Sequence, residues 1–407
     1  MNCRFCNNKL TFGFIDLVNS PPSNSFISKE QLNEPEVFYP LKLYVCEKCF
    51  LVQIDEYKKS SDIFNGDYAY FSSFSKSWME HAKNYVNMVV DKYKINKNSY
   101  IVEVASNDGY LLQYFVEKNI PCTGIEPTSN TAAAAREKGI HVIEDYFGVA
   151  LAKKLSNEKK KADLIIGNNV LAHVPDINDF VEGLKILLKD DGFINMEFPH
   201  LMQLIEKNQF DTIYHEHFSY LSFIAVKAIF ELHGLQMFDV EEISTHGGSL
   251  RIYAKHKNDL RDISKNVSKL IEKEKSMKMD TTQYYQNFQK KADNVKYNLL
   301  NFLIQQKLNG KKVAAYGAAA KGNTLLNYCG VKTDLIDFVV DLSPHKQGKY
   351  LPGSHIPIEN EAKLNEKKPD YILILPWNIK DEIIQQLEYA KEWGGKFVIP
   401  IPELVII

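Results

Sequence analysis

The sequence predicts an α/β protein in three parts: an N-terminal metal-binding module, a central Rossmann-like sheet, and a second Rossmann-like α/β domain at the C-terminus. Three observations predict this arrangement. Two Cys-x-x-Cys pairs stand within the first 50 residues, β-branched runs alternate with helical patterns from residue 99 to 197, and a further strand–glycine–helix unit begins at residue 312.

The composition is that of a globular protein. At about 150 residues per domain, the 407 residues predict two or three domains. Lys and Arg number 49 against 51 Asp and Glu, without the basic excess that binding to a phosphate backbone needs. No apolar run reaches the roughly 18–20 residues of a membrane span, and Met1 leads into Asn2, Cys3 and Arg4 rather than a signal-peptide core. We therefore expect a cytoplasmic protein that binds neither nucleic acid nor a membrane.

Four of the six cysteines form the two pairs, Cys3 with Cys6 and Cys46 with Cys49. Each pair presents two thiolates, so together they supply the four soft ligands of a tetrahedral zinc ion and leave no position for water. We predict a zinc-binding module over residues 1–65 in which the metal is structural and its binding folds a segment with little core. Two redox motifs, or chance, are the alternatives, and the long spacing over residues 7–45 indicates a small insertion.

A strand–turn–helix pattern predicts the central sheet. The run 99–106 is apolar and β-branched, and it precedes Asn107-Asp108-Gly109 and a helical pattern. Further strand candidates lie at 122–126, 162–168 and 192–197, with helical stretches between them. Alternation of this kind predicts a doubly wound parallel sheet.

Carboxylates stand at the ends of the first two predicted strands, where a Rossmann-like fold holds its cofactor. Glu103 lies in the first strand and Glu126 ends the second, 23 residues later. The first turn is not G-x-G-x-x-G, because Ala105 and Ser106 stand where a pyrophosphate needs glycine and only Gly109 remains. The turn therefore favours a nucleoside without phosphates whose aminoacyl ammonium pairs with a carboxylate, as in S-adenosylmethionine. An ordinary α/β turn with a charged rim is the alternative.

Several strings of sequence resemble one known family. They are the paired cysteine turns, Glu103-Val-Ala-Ser-Asn107-Asp108-Gly109-Tyr-Leu, Tyr214-His215-Glu216-His217-Phe-Ser-Tyr-Leu, His246-Gly-Gly-Ser-Leu-Arg251 and Ala315-Tyr-Gly-Ala-Ala-Ala-Lys321-Gly-Asn-Thr-Leu-Leu-Asn327. The chain resembles the S-adenosylmethionine-dependent sugar C-methyltransferases that act on nucleotide-linked keto-deoxysugars, nearly end to end. One departure is Ala105, where relatives often have glycine, and alanine should still allow a sulfonium cofactor to approach.

The resemblance implies a reaction and a set of site residues. The reaction is methyl transfer from S-adenosylmethionine to a carbon, C-3, next to the keto group of a 4-keto-deoxysugar, in a methyltransferase domain over residues 66–254. The expected cofactor contacts are Glu103, Ala105, Asn107, Asp108, Gly109, Glu126 and Asn168. The expected catalytic residues are His217 as base, Tyr214 and Glu216 as substrate-positioning groups, and His173 and Tyr68 as further active-site positions.

Carbon methylation next to a ketone needs a base for the α-proton, a donor for the enolate oxygen, and a methyl sulfonium in line. Histidine suits the first task because its unperturbed pKa is about 6.5. The hypothesis is that His217 removes the proton, that His173 or Tyr214 holds the enolate, and that the enolate carbon attacks the methyl group.

Several of these assignments have competing neighbours. His215 and His217 share a face in a strand but not in a helix, so their spacing does not decide between them. Tyr70 competes with Tyr68, and His173 taken alone is typical of a core or helix-capping histidine. The His-x-His pair could also be a polar surface segment or a metal site.

The C-terminal third is predicted to contain a helical connector, residues 255–310, and a second α/β domain, residues 311–407. The connector is rich in Lys and Asn with helical apolar spacing, which is typical of a solvated spacer. Strand candidates follow at 312–317, 336–341, 371–375 and 396–401.

Polar residues of this second domain are the expected substrate contacts. Lys321, Gly322 and Asn323 would open its first helix, where backbone N–H groups and the helix dipole favour an anion. His345 and Lys346 follow its second strand. The diphosphate of a nucleotide-linked sugar is the obvious anion, with the sugar in the cleft between the two α/β domains. Helix capping and packing are the alternative.

Two rival functions are methylation of a sugar hydroxyl and an inactive zinc-dependent scaffold. His217 could also generate an alkoxide, so the sequence barely separates oxygen from carbon as the acceptor. The Tyr-His-Glu-His string and the pair Glu103 and Glu126 argue against a decayed enzyme. A monomer is expected, because an enclosed cleft and a metal-tied N-terminus need no partner.

Overall fold

The computed structural model describes residues 1–59 and 71–407, which form three β-sheets flanked by helices. The predicted α/β class is confirmed. Tyr68 and Tyr70, the competing candidates for one active-site position, lie outside the described residues. None of the described helices is long and apolar enough to cross a membrane.

The strands and helices of the described residues are as follows. The strands are β1 (Phe12–Ser20), β2 (Tyr39–Val45), β3 (Val52–Ile54), β4 (Ile101–Val104), β5 (Cys122–Ile125), β6 (His141–Ile143), β7 (Ala162–Asn168), β8 (Leu188–Pro199), β9 (Ser219–Tyr220), β10 (Leu235–Ile243), β11 (Ser249–His256), β12 (Val313–Tyr316), β13 (Val339–Val340), β14 (Ile358–Glu359), β15 (Tyr371–Ile374), β16 (Lys396–Ile399) and β17 (Val405–Ile406). The α-helices are α1 (Lys76–Tyr93), α2 (Gln113–Glu117), α3 (Ser129–Glu137), α4 (Val149–Asn157), α5 (Ile177–Leu187), α6 (Leu201–Glu206), α7 (Phe223–Leu232), α8 (Lys265–Ser276), α9 (Phe288–Leu308), α10 (Ala320–Cys329), α11 (Ala362–Lys367) and α12 (Lys380–Gln386).

The N-terminal sheet has the strand order β1-β2-β3-β9 and is antiparallel throughout. Its fourth strand comes from far along the chain: Val52 pairs with Tyr220 and Gln53 with Ser219. The zinc-binding module therefore shares a sheet with the residues that directly follow His217. No local signal in the first 65 residues predicts this pairing, because the partner strand is distant in sequence.

The central sheet has the order β10-β11-β8-β7-β4-β5-β6. Strands β4 to β8 pair in parallel, with α1 to α3 on one face and α4, α5, α7 and α8 on the other. The sheet is mixed rather than wholly parallel, since β10 and β11 add an antiparallel edge. A short turn joins these two strands, which only antiparallel neighbours allow. In it His246, Gly247 and Gly248 all have positive φ.

The C-terminal sheet has the order β14-β13-β12-β15-β16-β17 and is parallel except for its last strand. Helix α10 follows β12 directly, as the strand–glycine–helix pattern predicts. The segment 336–341 forms only a two-residue strand, Val339–Val340. This second α/β unit packs on α9 and on the N-terminal sheet within one continuous apolar cluster.

The connector is helical, and its helices also bury side chains against the rest of the protein. Helix α9 buries Phe288, Leu299 and Leu303 in the core that includes the C-terminal sheet. Glu274 on α8 is fully buried, where its carboxylate accepts hydrogen bonds from the backbone N–H groups of Phe223 (2.6 Å) and Ile224 (2.8 Å) at the start of α7. The connector is therefore not a solvated spacer on these faces.

We expect Glu274→Ala to lower the free energy of unfolding by about 3 kcal/mol, because it leaves buried hydrogen-bonding groups without their partner. His200 Nε2 lies 2.7 Å from the Glu274 carboxylate, and the two N–H groups of α7 would also lose their acceptor. Urea unfolding measures the change. Glu272 is exposed on the same helix, so Glu272→Ala is the matched control, and equal midpoints for the two variants would contradict the prediction.

Candidate active site and zinc centre

The four predicted cysteine ligands converge. Their Sγ atoms all lie within 4.8 Å of one another, and the closest approaches join the two pairs: Cys3 to Cys49 at 3.5 Å and Cys6 to Cys46 at 3.4 Å. The two turns share their backbone hydrogen bond: the Asn7 N–H donates to the Cys3 carbonyl at 2.9 Å, and the Phe50 N–H donates to the Cys46 carbonyl at 2.8 Å. Four thiolates around one point are the donor set of a closed tetrahedral zinc site.

The turn that the sequence predicts to bind the cofactor follows β4 and has an unusual backbone. Ala105, Asn107 and Gly109 all have positive φ, at 57°, 49° and 74°. The positive φ at Gly109 would strain any other residue, and a Cβ there would also lie 3.3 Å from Ala135 Cα. The predicted contacts Glu103, Asp108 and Glu126 surround the same turn, and Asn168 reaches it through a 3.1 Å hydrogen bond to Tyr110 Oη.

Three carboxylates meet at this turn with few cations around them. Glu103 is 1% exposed, and burial, followed by the charges of Asp108 and Glu126, raises its pKa well above the ordinary range. Glu103 Oε2 and Asp108 Oδ1 are buried without a hydrogen-bond partner. Lys138 Nζ lies 3.6 Å from Asp108 Oδ2, and no ion pair with Glu103 or Glu126 is found among the described residues. Acidic groups with this little compensation fit a cationic ligand, and S-adenosylmethionine carries both an ammonium and a sulfonium.

Glu126 ties the turn to the second strand. Its carboxylate accepts hydrogen bonds from the backbone N–H groups of Asn107 and Thr128, each at 2.9 Å. Asn107 and Asp108 also accept from the backbone N–H groups of Ser72 (2.9 Å) and Ser73 (3.2 Å), which bring the start of α1 over the turn. The predicted cofactor residues therefore form one connected group.

A second group of residues holds two histidines in ring contact. The ring centroids of His173 and His217 lie 4.6 Å apart at 68°, and the Tyr214 ring lies 4.1 Å from that of His217. His217 Nδ1 donates to the Thr212 carbonyl (3.2 Å), and His173 Nδ1 donates to the Glu216 carbonyl (2.8 Å). With Nδ1 committed, Nε2 of His217 is the nitrogen that carries a lone pair.

Both rings are neutral at neutral pH. Burial, followed by the charges of His173, His246 and Lys321, moves the pKa of His217 well below 6.5. Burial lowers the pKa of His173 to about 4. His173 ends a short turn after β7, so it lies at the carboxyl edge of the central sheet, the edge that also carries the cofactor turn.

The two histidines of the His-x-His pair face different surroundings. His215 Nε2 lies 3.2 Å from the Pro40 carbonyl, and its ring packs edge-on to Tyr39 at 5.9 Å. It belongs to the packing against the N-terminal sheet, whereas His217 faces His173. The string 213–218 is neither strand nor helix, which is why alternation did not predict this outcome.

The side chain of Glu216 does not orient His217. Both of its oxygens accept from Asn24 Nδ2 at 2.8 Å, and burial raises its pKa to about 7. The Thr212 carbonyl, rather than this carboxylate, therefore holds the tautomer of His217.

Lys321 points inward from α10 toward the histidines. Its Nζ lies 2.7 Å from Asn378 Oδ1 and 4.6 Å from the centroid of the Trp377 ring, whose N–H donates to Asp211 at 2.7 Å. Burial lowers the pKa of Lys321 and raises that of Asp211 to about 6. No sequence pattern indicated Asp211, because its partners lie more than 100 residues away along the chain.

The other predicted substrate residues differ in their surroundings. Asn323 is buried and donates to the Ser23 carbonyl at 2.5 Å, and a side chain at Gly322 would meet Leu375 Cδ1 at 2.8 Å. The His345 ring stacks on Phe71 with centroids 5.5 Å apart. Lys346 donates to the Ala318 carbonyl at 2.9 Å.

His246 belongs to one of the strings that resemble the family, but the sequence did not predict its place near this site. Its Nε2 lies 3.0 Å from Asn169 Nδ2, and its ring lies 4.9 Å from that of Trp78. Burial lowers its pKa to about 4. Spacing could not have predicted this contact, since the three residues come from α1, the end of β7 and the β10–β11 turn.

Three protein families match the chain in order along its length. Residues 3–64 match the family described as "Putative zinc binding domain", residues 80–240 match "Methyltransferase domain", and residues 244–402 match "C-methyltransferase C-terminal domain". Together with the cysteine cluster and the acidic cofactor turn, they define a zinc-binding, S-adenosylmethionine-dependent methyltransferase. The predicted zinc and S-adenosylmethionine are confirmed as its cofactors.

The chain is also similar to C-methyltransferase NovU of Streptomyces niveus, with 32% identity over 405 residues, covering 100% of this chain and 96% of that protein. The protein belongs to this family of S-adenosylmethionine-dependent C-methyltransferases, and the resemblance noted from its sequence is confirmed.

Solved structures match parts of the chain at low identity. The PH0226 protein of Pyrococcus horikoshii OT3 has 15% identity and a TM-score of 0.38, covering 50% of this chain and 100% of that one. Magnesium protoporphyrin IX methyltransferase of Synechocystis, solved with bound S-adenosylmethionine, has 13% identity and a TM-score of 0.34, covering 43% of this chain and 78% of that one.

Proposed function

We propose that this C-methyltransferase methylates C-3, next to the keto group of a nucleotide-linked 4-keto-deoxysugar. The observation that carries the proposal is the buried pair His173 and His217. The His217 ring is neutral and its Nδ1 donates to the Thr212 carbonyl, which leaves Nε2 to accept a proton. An α-proton of a ketone needs such a base.

In this mechanism His217 Nε2 takes the α-proton, while Nδ1 keeps its own proton and its hydrogen bond to the Thr212 carbonyl. Tyr214 holds the enolate oxygen by a hydrogen bond, which a preorganised donor does at low energetic cost. His173 packs against the His217 ring and is not that donor, because its one ring N–H is already donated to the Glu216 carbonyl. S-adenosylmethionine, when bound, supplies an electrophilic methyl group. Glu216 and Tyr68 complete the set as substrate-positioning groups on the strength of the family resemblance, and Glu103, Asp108 and Glu126 hold the cationic cofactor.

The nucleotide half of the substrate is assigned to the C-terminal α/β unit. Lys321 is a buried cation of that unit, and its charge helps to lower the pKa of both His217 and His246. An anionic diphosphate beside Lys321 would offset the cost of burying the ammonium. Gly322 and Asn323 follow on the same helix, and His345 and Lys346, which follow β13, are assigned to the substrate on the strength of the family resemblance.

We expect Lys321→Met to raise the KM for the sugar nucleotide about 10- to 100-fold, the loss of one charge-assisted hydrogen bond, and to leave the Kd for S-adenosylmethionine unchanged. Initial rates and calorimetry with the free nucleoside diphosphate measure the effect. Lys332→Met, an exposed lysine beyond the same helix, is the control. A fall in kcat with KM unchanged would instead place Lys321 at the sugar.

The test of the function is product mass. The protein is incubated with S-adenosylmethionine and a panel of dTDP-, GDP- and CDP-linked 4-keto-deoxysugars, with His217→Ala as control. A gain of one methyl group in one sugar, with a new carbon–carbon correlation in the product NMR spectrum, is the expected result. A methyl group bonded to oxygen, or no gain in any sugar while the cofactor binds, would refute the proposed reaction.

A further inference from the structure

Arg4 lies inside the first zinc turn, between Cys3 and Cys6, and its side chain contacts both the zinc module and the central domain. The guanidinium Nη1 donates to the Pro175 carbonyl at 2.5 Å, and Nη2 donates to the Ile54 carbonyl at 2.7 Å. These two carbonyls belong to different parts of the fold: the loop between β7 and α5, and the end of β3.

The partners of Arg4 adjoin both catalytic histidines. Pro175 is two residues beyond His173 in the same loop. The guanidinium carbon also lies 5.3 Å from the centroid of the Phe218 ring, in cation–π geometry, and Phe218 directly follows His217. One side chain therefore contacts the two segments that hold the ring pair.

The contacts around Arg4 are tied to the zinc ligands. The backbone N–H of Arg4 donates to Gln53 Oε1 at 2.8 Å, while Gln53 Nε2 donates to Cys3 Sγ at 3.2 Å. Asn178 Nδ2, on α5 beyond the His173 loop, donates to the carbonyls of Arg4 (3.2 Å) and Phe5 (3.0 Å). A zinc ion that holds the turn therefore also fixes the origin of the Arg4 side chain.

We propose that Arg4 is a positioning residue that sets the His173 and His217 rings against each other. The planar guanidinium can hold two carbonyls and an aromatic face at fixed angles, which an ammonium cannot do. The zinc module thereby acts on the active site and is more than a folding unit. The inference rests on the proposed function in taking these two histidines as the reacting pair.

The competing explanation is that Arg4 only holds the N-terminal sheet to the rest of the protein. In that case its loss would lower stability without moving the histidine rings or changing kcat. The two explanations are separated by a readout at the rings themselves, taken without substrate.

The experiment compares Arg4→Met and Arg4→Lys with wild type in protein labelled with ¹⁵N-histidine. The measurements are zinc content, Tm, the ring ¹⁵N–¹H resonances of His173 and His217, and kcat and KM for S-adenosylmethionine. Glu47 holds the equivalent position in the second turn and is exposed, so Glu47→Gln is the matched control. Arg4→Lys keeps the charge, so it serves if Arg4→Met does not fold.

We expect both Arg4 variants to retain zinc, to shift both sets of ring resonances, and to lower kcat about 10- to 100-fold with KM for S-adenosylmethionine unchanged. Ring resonances and kcat equal to wild type, at whatever Tm, would overturn the proposal. If wild type methylates no keto-sugar yet the resonances shift, the proposed function fails while the positioning role of Arg4 is supported.

Discussion

Replacing His217 with alanine is expected to lower kcat about 10²- to 10⁴-fold, the contribution of one general base. The residue is the one neutral imidazole here whose Nδ1 is held by a carbonyl while its ring touches both Tyr214 and His173. His217→Asn sharpens the test, because its amide can still donate to the Thr212 carbonyl and only the basic nitrogen is lost. Product mass and solvent deuterium exchange into the keto-sugar without cofactor measure the two steps.

The control for this variant is His215→Gln. His215 packs on Tyr39 and meets the Pro40 carbonyl, and a glutamine amide can replace that donor. We expect near wild-type exchange and methylation for this variant. Exchange at the wild-type rate in His217→Ala would show that another group is the base.

The pH dependence of wild type follows from the same residue. Protonated His217 cannot accept a proton, so kcat/KM falls as pH drops through the pKa of the free enzyme, and that pKa lies below 6.5. The rate is therefore expected to be flat from about pH 7 to 8 with an acid limb below 6.5. In His217→Asn this limb should disappear from the residual rate. An acid limb centred above pH 7 would contradict the assignment.

Loss of zinc has the second large expected effect. Cys46→Ser should release the metal, unfold the N-terminal sheet and lower methyl transfer at least about 100-fold, because metal binding supplies about 10 kcal/mol or more to folding such modules. Strand β3 pairs with Ser219 and Tyr220, so unfolding of β3 removes the neighbour of the Tyr214–His217 string. Zinc content, limited proteolysis and initial rates measure the three consequences.

Cys122→Ser is the matched control for this experiment. Cys122 is a partly buried cysteine of β5 outside the cluster, and a serine hydroxyl preserves its small polar side chain. This variant should keep its zinc and its N-terminal sheet. A Cys46→Ser protein that retained a protected N-terminal sheet would show that the core of the module suffices without metal.

Local patterns predicted the elements near the cofactor well. The first three central strands were predicted at 99–106, 122–126 and 162–168, and they form at Ile101–Val104, Cys122–Ile125 and Ala162–Asn168. Here β-branched runs, turn residues and helical spacing all agree, and each signal extends over only a few residues. The antiparallel edge of β10 and β11 was missed, since strand pairing depends on partners outside the run.

The sequence by itself determined the zinc ligands, the acidic turn and the Tyr214–His217 string, because each is a set of residue types at short spacing whose chemistry is local. Only the tertiary structure decided that His215 packs on the N-terminal sheet while His217 contacts His173. It also decided that the Lys321 ammonium lies against the Trp377 ring, and that Arg4 joins the zinc turn to the segments that carry both histidines. These contacts join residues separated by 50 to more than 170 positions. No local periodicity reports them, because they arise when separate elements bury their apolar faces together and carry the attached polar groups into contact.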